Sequence, residues 1–360
     1  MHDRWLSEFS LGTKMIGINH PTYFIADIAA NHDRNIERAK DLIYLAAESG
    51  ANAAKFQHFF APSIVSDRGF RDLGLQKSHQ AKWKKSVFEV YRDASVNSEW
   101  TPILKDTCDK AGIDFFTSPY SIEIIDDVDS YICAYKIGSG DITWTGIIDY
   151  MAKKGKPTLL ACGASTSDDV LRAMEIIIKS NPKVVLMQCN TNYTGSLENM
   201  RYVNLNVLKT FTAMYPGLIL GLSDHTPKHA TVLGAIALGA RVIEKHFTDD
   251  TDREGPDHGF SLDPKSWREM VERSRELEAA LGEGVKKKEK NEEDTAILQR
   301  RAIRVKNDLT SGTILTAEHL DVLRPCPKDG IPPYQIDEVV GAKLRRDCKQ
   351  GEHLRWKDLI

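Results

Sequence analysis

The chain has 360 residues, 41% hydrophobic and 28% charged, the balance of a globular protein with enough apolar side chains for a sizeable core. Forty-eight basic residues against 51 acidic ones leave a net charge of −3, so there is no electrostatic case for nucleic acid or an anionic membrane, and an anionic substrate must be held by locally placed cations. The longest apolar run, residues 231–240, is too short for a membrane helix, and the first residues (MHDRWLSEFSLGTK) are charged where a signal peptide is apolar; with six cysteines and no CxxC pair, a cytoplasmic protein with reduced thiols is expected.

In chain order, short β-rich runs recur at 23–27 (YFIAD), 53–57 (AAKFQ), 114–118 (DFFTS), 134–138 (AYKIG), 157–161 (PTLLA), 184–188 (VVLMQ), 218–223 (LILGLS) and 241–247 (RVIEKHF). Between most of them, apolar residues fall three and four apart, as on one face of a helix. One such stretch runs through Ile36, Ala39, Leu42, Ile43 and Ala46 to Gly50. Another follows Ser165 and Thr166 with Asp168 and Asp169 in its first turn, and a third spans Pro264 to Leu281. Eight alternations predict an α/β protein of the (β/α)8 TIM-barrel class. An open doubly wound sheet is the rival, but no GxGxxG follows the first run. The long connection 58–113 is expected to pass over the barrel mouth, with 77–91 (KSHQAKWKKSVFEVY) helical.

Residues 283–296 (EGVKKKEKNEEDTA) are charged and poor in large apolar side chains, which predicts a solvated linker. The chain thus divides into a barrel (1–282), a linker (283–296) and a small β-rich module (297–360). Short strand candidates in the module are AIRVKN, GTILT, LDVLRP, AKLRRD and EHLRW. Asp308, Gly312, Leu315 and Leu320 are echoed at the same spacing by Asp347, Gly351, Leu354 and Leu359, so two similar turns are expected, each leading into a strand and a short helix.

Two histidines, His225 in GLSDHT and His246 in VIEKHFT, stand 21 residues apart, each where a β-rich run stops. In a parallel barrel that is where the active site is built, and two imidazoles on neighbouring strand ends can share a divalent metal. Residues two apart share a face. Lys55 therefore points with Gln57, Glu244 with His246, and Ser223 with His225, while Lys245 points the other way. Lys55 and Lys136 sit within apolar strands, where an ammonium is costly without an anionic partner. That partner is either a bound anion or a carboxylate such as Glu244 or Asp141.

The strings ADIAANHD, KFQ, FTSPY, YKIGSGD, GLSDHT, IEKHFTDDTDREGPDHGFSLDP and GTILTAEHLDVLRP, in this order along nearly the whole chain, resemble the sialic acid synthase family. Its members condense phosphoenolpyruvate with an N-acetylmannosamine-type hexose to a nine-carbon 2-keto-3-deoxy acid. The C-terminal module resembles the antifreeze-like (SAF) domain, which in that family covers a partner's barrel mouth in a domain-swapped homodimer. The resemblance implies His225 and His246 as ligands of a divalent metal. Two protein ligands leave positions open for water and sugar, which suits Mn2+ (or Mg2+ or Co2+) better than a closed zinc site. It further implies Lys55, Lys136, Ser139 and Ser223 as phosphoenolpyruvate contacts, with Gln57, Asp141 and Tyr193 at the substrates. Asp27, Asp141, Glu244 and Asp257 are the acid–base candidates, Glu244 also as support for the metal site, and Arg324 matches the arginine that in the family reaches the N-acetyl carbonyl. The chain departs from the family pattern in four places. Asp27 stands for a glutamate, Ala161 for a phosphate-binding serine, Thr191 for an asparagine, and RPCPKDG for RPxxG. Acceptors other than N-acetylmannosamine, such as the diacetamido hexoses leading to legionaminic or pseudaminic acid, are therefore included. The alternatives are a Schiff-base aldolase using Lys136 or Lys55, another phosphoenolpyruvate-dependent deoxy-ulosonate synthase, and a non-catalytic sugar-binding protein.

Overall fold

Each of the eight β-rich runs forms a strand in the computed structural model, which describes residues 4–74, 80, 83–193 and 195–360. The chain separates into two compact units, Met1–Gly282 and Glu283–Ile360. The first begins with a hairpin of β1 (Glu8–Leu11) and β2 (Lys14–Gly17), followed by β3 (Tyr23–Asp27), β4 (Ala53–His58), β5 (Asp114–Pro119), β6 (Tyr135–Ile137), β7 (Thr158–Ala161), β8 (Val184–Cys189), β9 (Ile219–Asp224) and β10 (Ala240–His246). Strands β3 to β10 are parallel and close into a barrel, with β10 hydrogen-bonded to β3 in the register His246↔Asp27. Helices cover its outside, as parallel strands buried on both faces require. The helix Ile36–Glu48 buries Ala39, Leu42, Ile43 and Ala46, the four apolar positions of its stripe. The helix Ser167–Ser180 is capped by Thr166, whose side chain accepts from the Asp169 N–H, and not by Ser165.

The hairpin was not expected from sequence. It closes the end of the barrel from which the strands start. Leu11 and Ile16 are fully buried there. The Thr13 N–H donates to both carboxylate oxygens of Asp114 (3.0 and 3.1 Å), and the Tyr23 hydroxyl donates to the same group at 2.7 Å. Gly12 makes the turn at φ +57°, and a Cβ there would lie 2.1 Å from the Asp114 side chain. This position accepts glycine for both reasons.

Between β4 and β5 lie the helices Ala61–Ile64, Asp67–Asp72, Val87–Ala94 and Thr101–Ala111. The expected helical segment 77–91 falls partly outside the described residues; the described helix begins at Val87. Residues from this excursion wall a cleft of about 820 Å³ together with Ala30, Tyr193 and Phe260. Among the described residues no helix is long and apolar enough to cross a membrane.

In the second unit the charged segment is not all extended linker, because a helix runs Glu293–Gln299. Of the five strand candidates, only AIRVKN and LDVLRP yield ladder strands: β11 (Ala302–Val305) and β12 (Leu320–Leu323) pair antiparallel. The others pair through single bridges such as Ile314↔Lys343 and Leu344↔Leu359. Their leucines still fill the core, where Leu315, Leu344 and Leu354 are all buried. The repeat is borne out in its turns and short helices, but single bridges take the place of the expected strands. Gly312 and Gly351 turn at φ +86° and +79°, and three-residue helical turns follow at Ala317–His319 and Trp356–Asp358. Each half completes the other. The Ser311 N–H donates to Asp347 (2.7 Å) and the Gln350 N–H to Asp308 (2.8 Å).

Candidate active site

Strands β9 and β10 run level, with Ser223 opposite Glu244 and Asp224 opposite Lys245. That register brings the two strand-end histidines together, with ring centroids 5.3 Å apart. The Nδ1–H of His225 donates to the Asn190 carbonyl at 2.9 Å. In a neutral ring this leaves the Nε2 lone pair free. His246 buries an Nδ1 with no hydrogen-bond partner, a polar atom that a ligand or ion could satisfy. Burial, aided by the neighbouring imidazole for His225 and by the Lys55 ammonium for His246, pushes both rings down to about 3. Both are therefore neutral near pH 7, the form that ligates metals. No cluster of three His, Cys, Asp or Glu suited to a metal occurs among the described residues. The donors thus fit an ion held by two imidazoles that completes its sphere with water or substrate.

Beside the histidines lies a buried chain of alternating charges. The Lys136 ammonium donates to Glu244 Oε1 at 2.8 Å, with Ser223 Oγ donating to the same oxygen at 3.2 Å. Lys55 Nζ is 3.8 Å from that oxygen and 2.6 Å from Asp27 Oδ2, which also accepts from Gln57 Nε2 at 3.2 Å. His246 Nε2 is 3.6 Å from the same Asp27 oxygen. Burial alone would raise the Glu244 carboxyl, but the ammonium groups of Lys136 and Lys55 outweigh it and hold it down to about 2. Burial pushes Lys55 toward the neutral amine, yet Asp27 and Glu244 win and keep it an ammonium. Glu244 Oε2 is buried without a partner.

Asp257, from the loop after β10, accepts the Ala30 N–H at 3.1 Å. Burial lifts its carboxyl to about 7. Ser139 Oγ accepts from the Gly163 N–H at 2.9 Å. Asp141 ends the same short turn, and burial raises it to about 6. Tyr193 packs against His225 with centroids 4.3 Å apart. Twelve of the thirteen site residues expected from sequence therefore belong to strand ends and following loops at one end of the barrel. Arg324 belongs to the second unit, exposed just after β12.

Of the two carboxylates offered from sequence, Lys136 pairs with Glu244 and not with Asp141, so both buried lysines have carboxylate partners. Two features differ from expectation. The hydrogen bonds of Glu244 go to Lys136 and Ser223 and not to a histidine, so its direct support is for the lysines. Phe260, not singled out from sequence, packs edge-on against His246 (4.8 Å) and His225 (5.9 Å). Its signal was an aromatic inside the GPDHGF string. The Asn190 carbonyl that fixes the His225 tautomer had no signal, since any residue carries a backbone oxygen. Of the departures, Ala161 is buried at the end of β7, and the Thr191 methyl lies where a Cβ on Gly163 would approach within 2.5 Å.

The NeuB family model matches residues 42–286 and the SAF domain model residues 300–360. The chain is 32% identical to the N,N'-diacetyllegionaminic acid synthase of Legionella pneumophila over 97% of each. It is 31% identical to the human N-acetylneuraminate-9-phosphate synthase, covering 92% of this chain and 90% of that one. The structure of an N-acetylneuraminic acid (sialic acid) synthetase from Leptospira borgpetersenii matches with a TM-score of 0.70 at 26% identity, over 82% of this chain and 96% of that one. Fold and relatives define an enzyme of the acid-synthase class, a TIM barrel with a C-terminal SAF domain. The chain belongs to the NeuB family.

Proposed function

We propose that the enzyme condenses phosphoenolpyruvate with N-acetylmannosamine or a related acetamido hexose, using a divalent metal, Mn2+ for preference, held by His225 and His246. The reading is carried by the convergence of two neutral imidazoles and two buried ammonium groups at one barrel end. When bound, the ion would supply a Lewis acid for the sugar's aldehyde oxygen. It also answers a question of charge. Lys55 and Lys136 are balanced by Asp27 and Glu244, so the protein alone offers little net attraction for a phosphate and a carboxylate. A dication bound by His225 and His246 would supply it.

In the reaction, C3 of phosphoenolpyruvate bonds to the aldehyde carbon, whose oxygen takes a proton. Water adds at C2 and phosphate leaves by C–O cleavage. Asp257 keeps a proton close to neutral pH and is assigned as the acid for the new hydroxyl. Glu244 is held ionised by its lysines and is a weak base, whereas burial raises the Asp27 carboxyl despite Lys55; Asp27 is therefore assigned to accept the proton of the attacking water. Lys55, Lys136, Ser139 and Ser223 anchor phosphoenolpyruvate; Gln57, Asp141 and Tyr193 face the sugar. A Schiff-base route is disfavoured because Lys55 is held as an ammonium by Asp27 at 2.6 Å, whereas a nucleophilic amine must be neutral. The proposal includes a cytoplasmic, domain-swapped homodimer in which Arg324 serves the acetamido carbonyl in trans.

The test is phosphate release measured with N-acetylmannosamine and with two diacetamido hexose precursors. Release should need both substrates, stop on chelation and return with Mn2+. Full turnover after complete metal removal would overturn the metal assignment. Phosphate release independent of any sugar would overturn the condensation.

A further inference from the structure

We propose that Asp224 and Lys245 are positioning residues that set the separation of His225 and His246 from behind the barrel wall. The inference rests on the reading that these histidines hold a divalent ion. Each member of the pair immediately precedes one histidine, and by the two-residue period of a strand each points away from the site. They are register partners on adjacent strands, and their side chains, 2% and 1% exposed, meet at 2.6 Å.

The network around them grips His225 on both sides. Asp224 Oδ1 accepts the N–H of Thr226 at 3.1 Å. Its Oδ2 accepts from the hydroxyls of Thr226 (3.0 Å) and Thr231 (2.7 Å). The Lys245 ammonium donates to that same Asp224 oxygen and, also at 2.6 Å, to the Thr226 carbonyl. Residues 224 and 226, the two neighbours of His225, are thus both fastened to the residue that precedes His246. The backbone of one proposed ligand is clamped to the backbone of the other.

Stability alone does not account for such a pair. Replacing a buried ion pair by apolar side chains of similar volume is commonly neutral or stabilising, whereas removing one partner is strongly destabilising. A directional, fully satisfied network fixes geometry in a way that an apolar contact does not. Shifting a ligand by a fraction of an ångström weakens metal binding without unfolding the protein.

The experiment compares wild type, Lys245→Met and the double variant Asp224→Leu/Lys245→Met. Melting temperature is measured alongside Mn2+ affinity of the metal-free protein, read from the free-ion paramagnetic resonance signal during titration. The single variant should lose melting temperature. The double variant should regain most of it yet bind Mn2+ about 10–100-fold more weakly. Thr231→Val, which removes one donor to Asp224 and leaves the ion pair, should melt several degrees below wild type but above Lys245→Met, and bind Mn2+ several-fold more weakly. Affinity that returns together with melting temperature in the double variant, or wild-type affinity in Thr231→Val, overturns the positioning role. A wild-type protein that binds no Mn2+ overturns the metal reading itself, and this proposal with it.

Discussion

Glu244→Gln isolates the electrostatics at the centre of the site. The substitution keeps the shape but leaves Lys136, 3% exposed, with a neutral amide where a carboxylate stood 2.8 Å away. Removing one member of a buried ion pair costs about 3–5 kcal/mol. The glutamine oxygen can still accept a hydrogen bond, so the lower end, about 3 kcal/mol, applies. At about 2–4 °C per kcal/mol for a large domain, the ligand-free protein should melt roughly 6–12 °C lower. Phosphoenolpyruvate restores an anion to the ammonium and no longer meets the Glu244 charge. At 100 times its Kd it returns about 2.7 kcal/mol. Scanning calorimetry with and without phosphoenolpyruvate should therefore show a larger ligand-induced rise in the variant than in wild type, at equal ligand concentration. Phosphate release should fall by about 100-fold or more. An unchanged melting temperature together with an equal or smaller ligand effect would refute the reasoning, because Lys136 would then owe nothing to Glu244 and offer nothing to the anion.

Asp257 gives a pH signature. Its carboxyl is raised from 3.8 to about 7, so the stability tied to its proton is complete below pH ~4 and is lost as pH rises through ~7, by no more than about 4 kcal/mol. Asp257→Asn should remove that decline in melting temperature from a series of pH values, and a retained decline would place its origin elsewhere. The same variant should abolish the fall in turnover above pH ~7. Gly12→Ala should cost about 1–3 kcal/mol in urea unfolding, since the new Cβ meets Asp114 and the turn needs a positive φ. Turnover per folded molecule should not change, because the hairpin lies at the opposite barrel end from the site. Arg324→Ala should raise the KM for the acetamido sugar about 10–100-fold, the worth of a charge-assisted hydrogen bond, and leave that for phosphoenolpyruvate unchanged. Equal effects on both substrates would count against its role at the acetamido group.

The barrel was legible because buried parallel strands leave dense apolar runs at regular intervals, and all eight begin within one residue of their expected places. Strand period also sorted the side chains, sending Lys55 and Glu244 inward and Lys245 outward. The β1–β2 hairpin escaped because four-residue strands, half of them exposed, carry too short a pattern to stand out. Three strand candidates of the second unit, by contrast, were legible but form only single bridges. Within the site, residue types announced the histidines and lysines. Partners could not be read, since whether Lys136 meets Glu244 or Asp141 depends on which strand ends face each other across the barrel. The clamp behind the wall was invisible too. Its parts look like ordinary polar residues until the β9–β10 register sets Asp224 against Lys245.

The crossed bonds of the second unit have a consequence for how that module can be cut. Asp308 completes the turn at Gln350, and Asp347 completes the turn at Ser311. Either half alone would expose an amide whose acceptor had gone with the other half, along with leucines that the missing half had covered. The repeat therefore behaves as an interlocked pair and not as two stackable tiles. A chain ended between its halves would forfeit the whole module, including the segment that presents Arg324.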